Sequence, residues 1–345
     1  MVISRYLSRI RPTIRFFFVL MLAANFVGGN AWAAEQLKIF RIATASKKGT
    51  FYPIGTLIAK GLSGAKSDTE CPDPNRCGVP GLIAVAQVSN GSVANVEAVS
   101  AGKIDAGLAQ ADVVYWAYTG TERFANSGPL TGFRVVANLY PGSLHIVTTA
   151  TTGIAEVADL ADKRVALDEP GSGTLATAEL ILASLNIRKS DLHPLYIKHN
   201  HAGPMLAQGQ LDAFFFVAGY PTRSVIDVAK TANIRLVPLS ERTVRTLVAE
   251  RPYFAPGIIP AGTYVGIDDD IPTVDIGTQL IIRADLDEGF VYDLTRALWN
   301  ERTRNLLDEG HPKGAQVQLD TALRGIGVPL HPGAERFYRE VNLLK

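Results

Sequence analysis

Apolar and polar positions along the chain alternate between short β-like runs and helix-period stretches, separated by loops rich in Gly, Ser and Thr. Residues 39–43 read as a strand, Ser46-Lys47-Lys48-Gly49-Thr50 as a loop, and the stretch through Gly61 as a helix. Residues 82–88 form a second strand leading into Ser89-Asn90-Gly91-Ser92. A helix over about 93–101 then meets Gly102-Lys103-Ile104-Asp105 and a strand at 106–109. The same punctuation recurs. Residues 164–167 are a strand, Gly171-Ser172-Gly173-Thr174 a loop and 175–185 a helix. Residues 195–198 are a strand, His199-Asn200-His201 a loop, and 204–208 open a short helix. That helix closes on Gly209-Gln210-Leu211-Asp212 and a strand at 213–217. Gly102 and Gly209, and likewise Asp105 and Asp212, lie 107 residues apart.

Each copy is a β-α-β-α-β unit, which predicts an α/β fold of two similar Rossmann-like lobes, each with parallel strands and crossover helices. Residues 134–137, 144–149 and 274–282 read as further strands, with a helix from about Phe290. The chain must cross to the second lobe and return, so 144–149 and 274–282 are expected to be the two crossover strands. Lobe one is then 34–147 plus 276–345, and lobe two 148–275. A ligand cleft is expected between the lobes, outside the carboxyl ends of the strands, where the Gly/Ser/Thr loops lie.

The first 33 residues are set apart. Arg5, Arg9, Arg11 and Arg15 precede an uncharged apolar run at 16–27, and Ala31-Trp32-Ala33 offers a small-x-small cleavage signal before Ala34. Twelve apolar residues fall short of the roughly 20 that span a bilayer. The reading is a cleaved export signal, which places the protein in the periplasm with no direct membrane insertion after cleavage. The whole chain has 34 Lys plus Arg against 33 Asp plus Glu. Removing the four leader arginines leaves about −3, which disfavours a nucleic-acid or polybasic membrane face. Export also puts Cys71 and Cys77, six positions apart in a Pro-rich loop, in an oxidising compartment, where a local disulfide is expected.

Gly171-Ser172-Gly173-Thr174 stands between a strand and a helix. Unpaired N–H groups and the helix dipole suit such a loop to an anion. Asn90-Gly91-Ser92 with Asn95 offers the same in lobe one. Either loop alone is equally well read as a plain N-cap. Catalytic and cofactor signatures are missing: there is no GxxxxGK[ST], HExxH or GxSxG. His199-x-His201 reads better as a cap or surface pair than as metal ligands, His145 as structural, and Asp168-Glu169 as a solvated or Lys-paired loop. The expectation is therefore a binding protein without catalytic residue, metal or cofactor.

Gly49-Thr50-Phe51-Tyr52-Pro53-Ile54-Gly55, Ser89-Asn90-Gly91-Ser92 with Asn95, and Gly102-x-Ile104-Asp105 with Gln110-Ala111-Asp112 together resemble the TAXI family of solute-binding proteins. Leu139-Tyr140-Pro141, Gly171-Ser172-Gly173-Thr174, Gly209-x-Leu211-Asp212-Ala213, Ile259-Pro260-Ala261-Gly262-Thr263-Tyr264 and Val291-Tyr292-Asp293-Leu294-Thr295 continue the resemblance in order. It implies a type II periplasmic-binding-protein fold that closes on a small solute and delivers it to the membrane subunits of a TRAP transporter, a secondary permease. It also implies a carboxylate ligand, such as glutamate or another amino acid, or a 2-oxo or dicarboxylic acid. Carried over by position, the ligand residues are Thr44, Thr50, Tyr52, Asn90, Ser92, Asn95, Gln110, Ser172, Gly173, Thr174 and Gly219. Lys47-Lys48, Asp168-Glu169 and Gly142 depart from the family pattern. The expectation drawn from them is that Lys47 or Lys48 compensates Asp168 or Glu169, or that one of these residues reads an extra ligand charge. An exported sensor that signals to a membrane receptor is the alternative with the same fold.

Overall fold

The computed structural model describes residues 37–64, 73 and 77–345. The expected export signal and Cys71 lie outside the described residues. Residues Leu37–Lys345 form one compact unit.

The first repeat is realised as β1 (Lys38–Ala43), α1 (Phe51–Leu62), β2 (Leu82–Gln87), α2 (Ser92–Ser100) and β3 (Ala106–Gln110). Its apolar stripes explain the helices: Ile54, Ile58 and Leu62 of α1 and Val93, Val96 and Val99 of α2 are buried at helical spacing. Next come α3 (Ala111–Thr119) and β4 (Phe133–Thr149). The second repeat follows as β5 (Arg164–Ala166), α4 (Gly173–Ser184), β6 (His193–Leu195), α5 (His199–Ala207) and β7 (Ala213–Ala218). The remainder comprises α6 (Arg223–Ala229), β8 (Ile234–Leu236), α7 (Glu241–Glu250), β9 (Phe254–Ile259), β10 (Ile271–Arg283), α8 (Glu288–Leu298), α9 (Glu301–Gly310) and α10 (Pro332–Glu340).

The two repeats have the same topology. β1 pairs in parallel with β2 and β3, and β5 in parallel with β6 and β7. The repeated aspartates have a common task. Asp105 accepts from the Arg41 backbone N–H at 2.9 Å and faces its guanidinium; Asp212 accepts from the Arg164 N–H at 2.8 Å and pairs with its guanidinium at 2.7 Å. Each thereby ties the start of a repeat's third strand to its first. The repeated glycines, Gly102 and Gly209, both have φ +68, the left-handed turn that ends the preceding helix and favours glycine.

Two expectations are corrected. Residues 134–137 and 144–149 are not separate strands but parts of one 17-residue strand, β4, which runs through Pro141-Gly142 without a break. Its first part pairs with β10, its last part with β7 and β8. Because β10 likewise serves β3 with one end and β9 with the other, the two parallel units merge into a single sheet of order β2-β1-β3-β10-β4-β7-β5-β6. Secondly, His199-Asn200-His201 is the first turn of α5, not a loop, and the strand before it lies at His193–Leu195. Burial of His199 against Phe216 holds that turn in the helix, so the helix begins five residues before Pro204. No helix among the described residues is long and apolar enough to cross a membrane.

Candidate functional site

The strand-end loops of the two repeats face each other across the middle of the sheet and enclose a cavity of about 40 Å³. Five helices begin at it. Thr50 precedes α1, Gly91 precedes α2, Gln110 precedes α3, Ser172 precedes α4 and Lys198 precedes α5, and all five residues line the cavity. Helix starts carry unpaired N–H groups and the positive end of the dipole, so their convergence makes the cavity electropositive without a large excess of basic side chains.

The halves of the molecule are in direct contact around this cavity. The Thr50 hydroxyl donates to the Gly219 carbonyl at 2.8 Å, and the Ala94 N–H to the Gly171 carbonyl at 3.0 Å. The Gln110 amide donates to Thr177 at 2.9 Å, and the Lys48 ammonium meets Asp227 at 3.0 Å. Gly173 lets this approach occur: a Cβ there would lie 2.0 Å from Gln110 Oε1 and 2.6 Å from Ser92 Oγ. The arrangement is a closed cleft.

Of the residues carried over from the resemblance, Thr50, Asn90, Ser92, Gln110, Ser172, Gly173 and Thr174 line the cavity. The other four stand elsewhere. Thr44 and Asn95 are buried braces: Thr44 Oγ1 donates to Gln87, and the Asn95 amide donates to the carbonyls of Thr44 and Leu108. Tyr52 lines an outer groove with Thr56 and Lys60, beneath the Lys47 ammonium. Gly219 holds Thr50 through its carbonyl and packs against Lys313, whose Cγ a Cβ would approach to 2.7 Å.

The expected pairing of Lys47 or Lys48 with Asp168 or Glu169 is not what forms. Lys48 reaches Asp227 on α6, and Glu169 pairs with Lys198 at 2.7 Å, because α5 starts beside the end of β5. His145 is buried in β4, where its ring nitrogens meet the Ser143 carbonyl and the Tyr264 hydroxyl; burial lowers its pKa to about 4, a structural histidine.

Three further cavity residues lie outside the set carried over from the resemblance, and of these only Asp168 was expected from the sequence to have a part in reading ligand charge. His199 is buried, stacks on Phe216 at 3.8 Å between centroids and bonds Ser224 through Nδ1 at 2.6 Å. Burial, reinforced by Lys198, pushes its pKa down to about 3, so it is neutral at pH 7. Phe216 supplies an apolar wall. Asp168 is 5% exposed and sits in a left-handed backbone conformation, φ +74, directly after β5 and Leu167. Burial, with help from the Glu169 charge, lifts its carboxyl to about 7 against the hydrogen bonds it accepts from the Glu169 N–H and the Thr174 hydroxyl and the attraction of Lys198.

Two β-α-β-α-β halves, spanned by two long antiparallel strands with a cleft at their strand ends, constitute the type II periplasmic-binding-protein fold. Solved structures agree. PhnD1 from Prochlorococcus marinus (MIT 9301), in complex with methylphosphonate, matches with a TM-score of 0.52 at 12% identity, over 90% of this chain and 100% of that one. A structure of a periplasmic transporter matches with a TM-score of 0.53 at 14% identity, over 90% and 94%. Residues 42–341 match the NMT1-like family, and the chain belongs to it.

Proposed function

We propose that the protein is an exported solute-binding protein that captures a small carboxylate-bearing solute by closing its cleft and presents it to a TRAP-type secondary transporter. The observation that carries this reading is the convergence of five helix starts on one small cavity between two halves of the sheet. Such a cavity offers N–H donors to an oxyanion, as helix N-termini generally do. A solute that touches both halves stabilises the closed form by the contacts it makes only there. The lobe division at 34–147 plus 276–345 and 148–275 is part of this proposal. So are TAXI membership, which rests on the ordered motifs, and export to the periplasm, which rests on the leader. The role is binding, without turnover.

Thermal shift and calorimetry on the chain from Ala34, unfolded and refolded to strip carried ligand, test it. The panel holds amino acids, mono- and dicarboxylates, 2-oxo acids, methylphosphonate, alkanesulfonates and sugars. Ligand at about 100 times its dissociation constant adds roughly 2.7 kcal/mol of stability. A selective response to a carboxylate is expected. A response confined to phosphonate or sulfonate keeps the cleft and overturns the carboxylate; a response to none of these overturns the reading. An uptake defect on gene deletion supports transport over sensing.

The Cys71–Cys77 staple belongs here too. Cys77 is not a free thiol. Intact mass with and without reductant should differ by two hydrogens, and equal masses would remove the bond.

A further inference from the structure

The cavity is lined by groups of opposite character. The helix starts make it receptive to an anion, whereas Asp168 is the sole acidic residue among those lining the cavity. That acid is not explained by the fold. It is buried, yet no ion pair among the described residues includes it: the nearby Lys198 ammonium bonds Glu169 at 2.7 Å and the Asn90 side-chain oxygen at 3.3 Å. It takes no part in the bonds that join the two halves, among them those of Thr50, Ala94, Gln110, Asp112 and Lys48. A buried carboxylate without a cation is costly unless something charged or hydrogen-bonding completes it. Its neighbours supply hydrogen bonds, from the Glu169 N–H at 2.8 Å and the Thr174 hydroxyl, and a more distant attraction from Lys198, but no directly paired cation. Glu169 adds repulsion, and His199 is neutral in this environment.

We propose that Asp168 is the specificity-determining acid of the cleft: it receives an ammonium group of the solute, so the protein selects an amino carboxylate over the oxo or hydroxy acid of the same skeleton. This rests on the solute-binding reading and narrows it. The solute's carboxylate faces the helix starts and its ammonium faces Asp168, so the zwitterion satisfies both. A dicarboxylate or 2-oxo acid leaves Asp168 unpaired and adds repulsion. The small cavity, room for roughly three waters in this closed form, favours a compact solute. Because burial holds the carboxyl near a pKa of about 7, the ammonium also restores its ionised state on binding.

The test is calorimetry on the refolded chain with skeleton-matched sets: L-alanine, pyruvate and L-lactate; L-glutamate, 2-oxoglutarate and 2-hydroxyglutarate. The amino member of at least one set is expected to bind tenfold or more tightly than its partners. Asp168→Asn should cut that affinity by about tenfold to a hundredfold, while oxo-acid binding stays level or improves. An oxo or hydroxy acid binding as tightly as its amino partner overturns the proposal and leaves the carboxylate reading standing. So does an Asp168→Asn protein that keeps the amino preference. Silence across every set overturns the carboxylate reading itself, and the proposal with it. The wild-type comparison needs no variant, so poor folding of Asp168→Asn does not remove the test; Asp168→Ser serves as the second variant.

Discussion

The Thr177 hydroxyl on α4 donates to a carboxylate oxygen of Asp112 on α3 at 2.7 Å, joining the second half of the molecule to the first. Gln110 donates to the same hydroxyl oxygen, and the Val113 N–H to the other carboxylate oxygen at 2.7 Å. Asp112 is fully buried, and desolvation raises its pKa to about 6 despite these bonds. The Thr177 bond exists only where the halves meet, so Thr177→Val weakens the closed form alone. A hydrogen bond to a charged group contributes about 1.5–3 kcal/mol. Ligand affinity should fall roughly tenfold to a hundredfold, with a larger radius of gyration at subsaturating ligand. Equal affinity in calorimetry would mean the contact does not report closure.

Lys48 offers a milder case. Its ammonium meets Asp227 across the cleft mouth, but the side chains are 49% and 31% exposed, and such pairs contribute only about 0–1 kcal/mol. Lys48→Glu should therefore weaken binding severalfold at low salt, with the difference shrinking at 0.5 M salt as screening grows. A loss above tenfold that persists in high salt would put Lys48 in contact with the solute instead.

Asp168 also sets a pH dependence. Its folded pKa, about 7, lies above the ordinary 3.8, so the folded chain holds that proton more tightly and this contribution to stability falls as pH rises from about 4 to about 7. Glu169 faces it and raises its pKa, Lys198 opposes that, and neutral His199 adds no charge. His145 and His199, with lowered pKa values, act in the opposite sense up to about 6.5, and Asp112 in the same sense as Asp168 up to about 6. The readout is therefore a difference. Without ligand, Asp168→Asn should gain stability relative to wild type between pH 5 and pH 8, by on the order of 2–4 kcal/mol. A difference flat in pH would show that Asp168 ionises normally.

Much of this was legible in the sequence where chemistry is local. Gly102 and Gly209 announce left-handed turns, Asp105 and Asp212 recur because each ties strands of its own repeat, and the Gly/Ser/Thr loops mark helix starts. What depends on distant partners was not. Thr44 and Asn95 are polar residues at a strand end and a helix start, like true lining residues, and only the bonds from Asn95 to Thr44 and Leu108 show them to be braces. Lys198 finds Glu169 because two loops 29 positions apart in sequence are adjacent in space. β4 looked like two strands because Pro141-Gly142 has turn chemistry, which pairing with β10 overrides.

Gly173 gives the sharpest separation of folding from closure. It is the first residue of α4 with no positive φ, so alanine there suits the helix locally. In the closed form, however, the added methyl would stand 2.0 Å from Gln110 Oε1 and 2.6 Å from Ser92 Oγ, both well inside contact distance. Gln110 cannot yield easily, because its amide is held by Thr177 at 2.9 Å and its backbone N–H by Ser92 Oγ at 3.1 Å. With the halves apart there is no clash. Gly173→Ala should leave the melting temperature without ligand within a few degrees of wild type, yet lower affinity a hundredfold or more and abolish ligand-induced compaction in small-angle scattering. A variant that binds and compacts normally would show that the two halves need not approach this closely to hold the solute, and would move the binding contacts away from the α4 start.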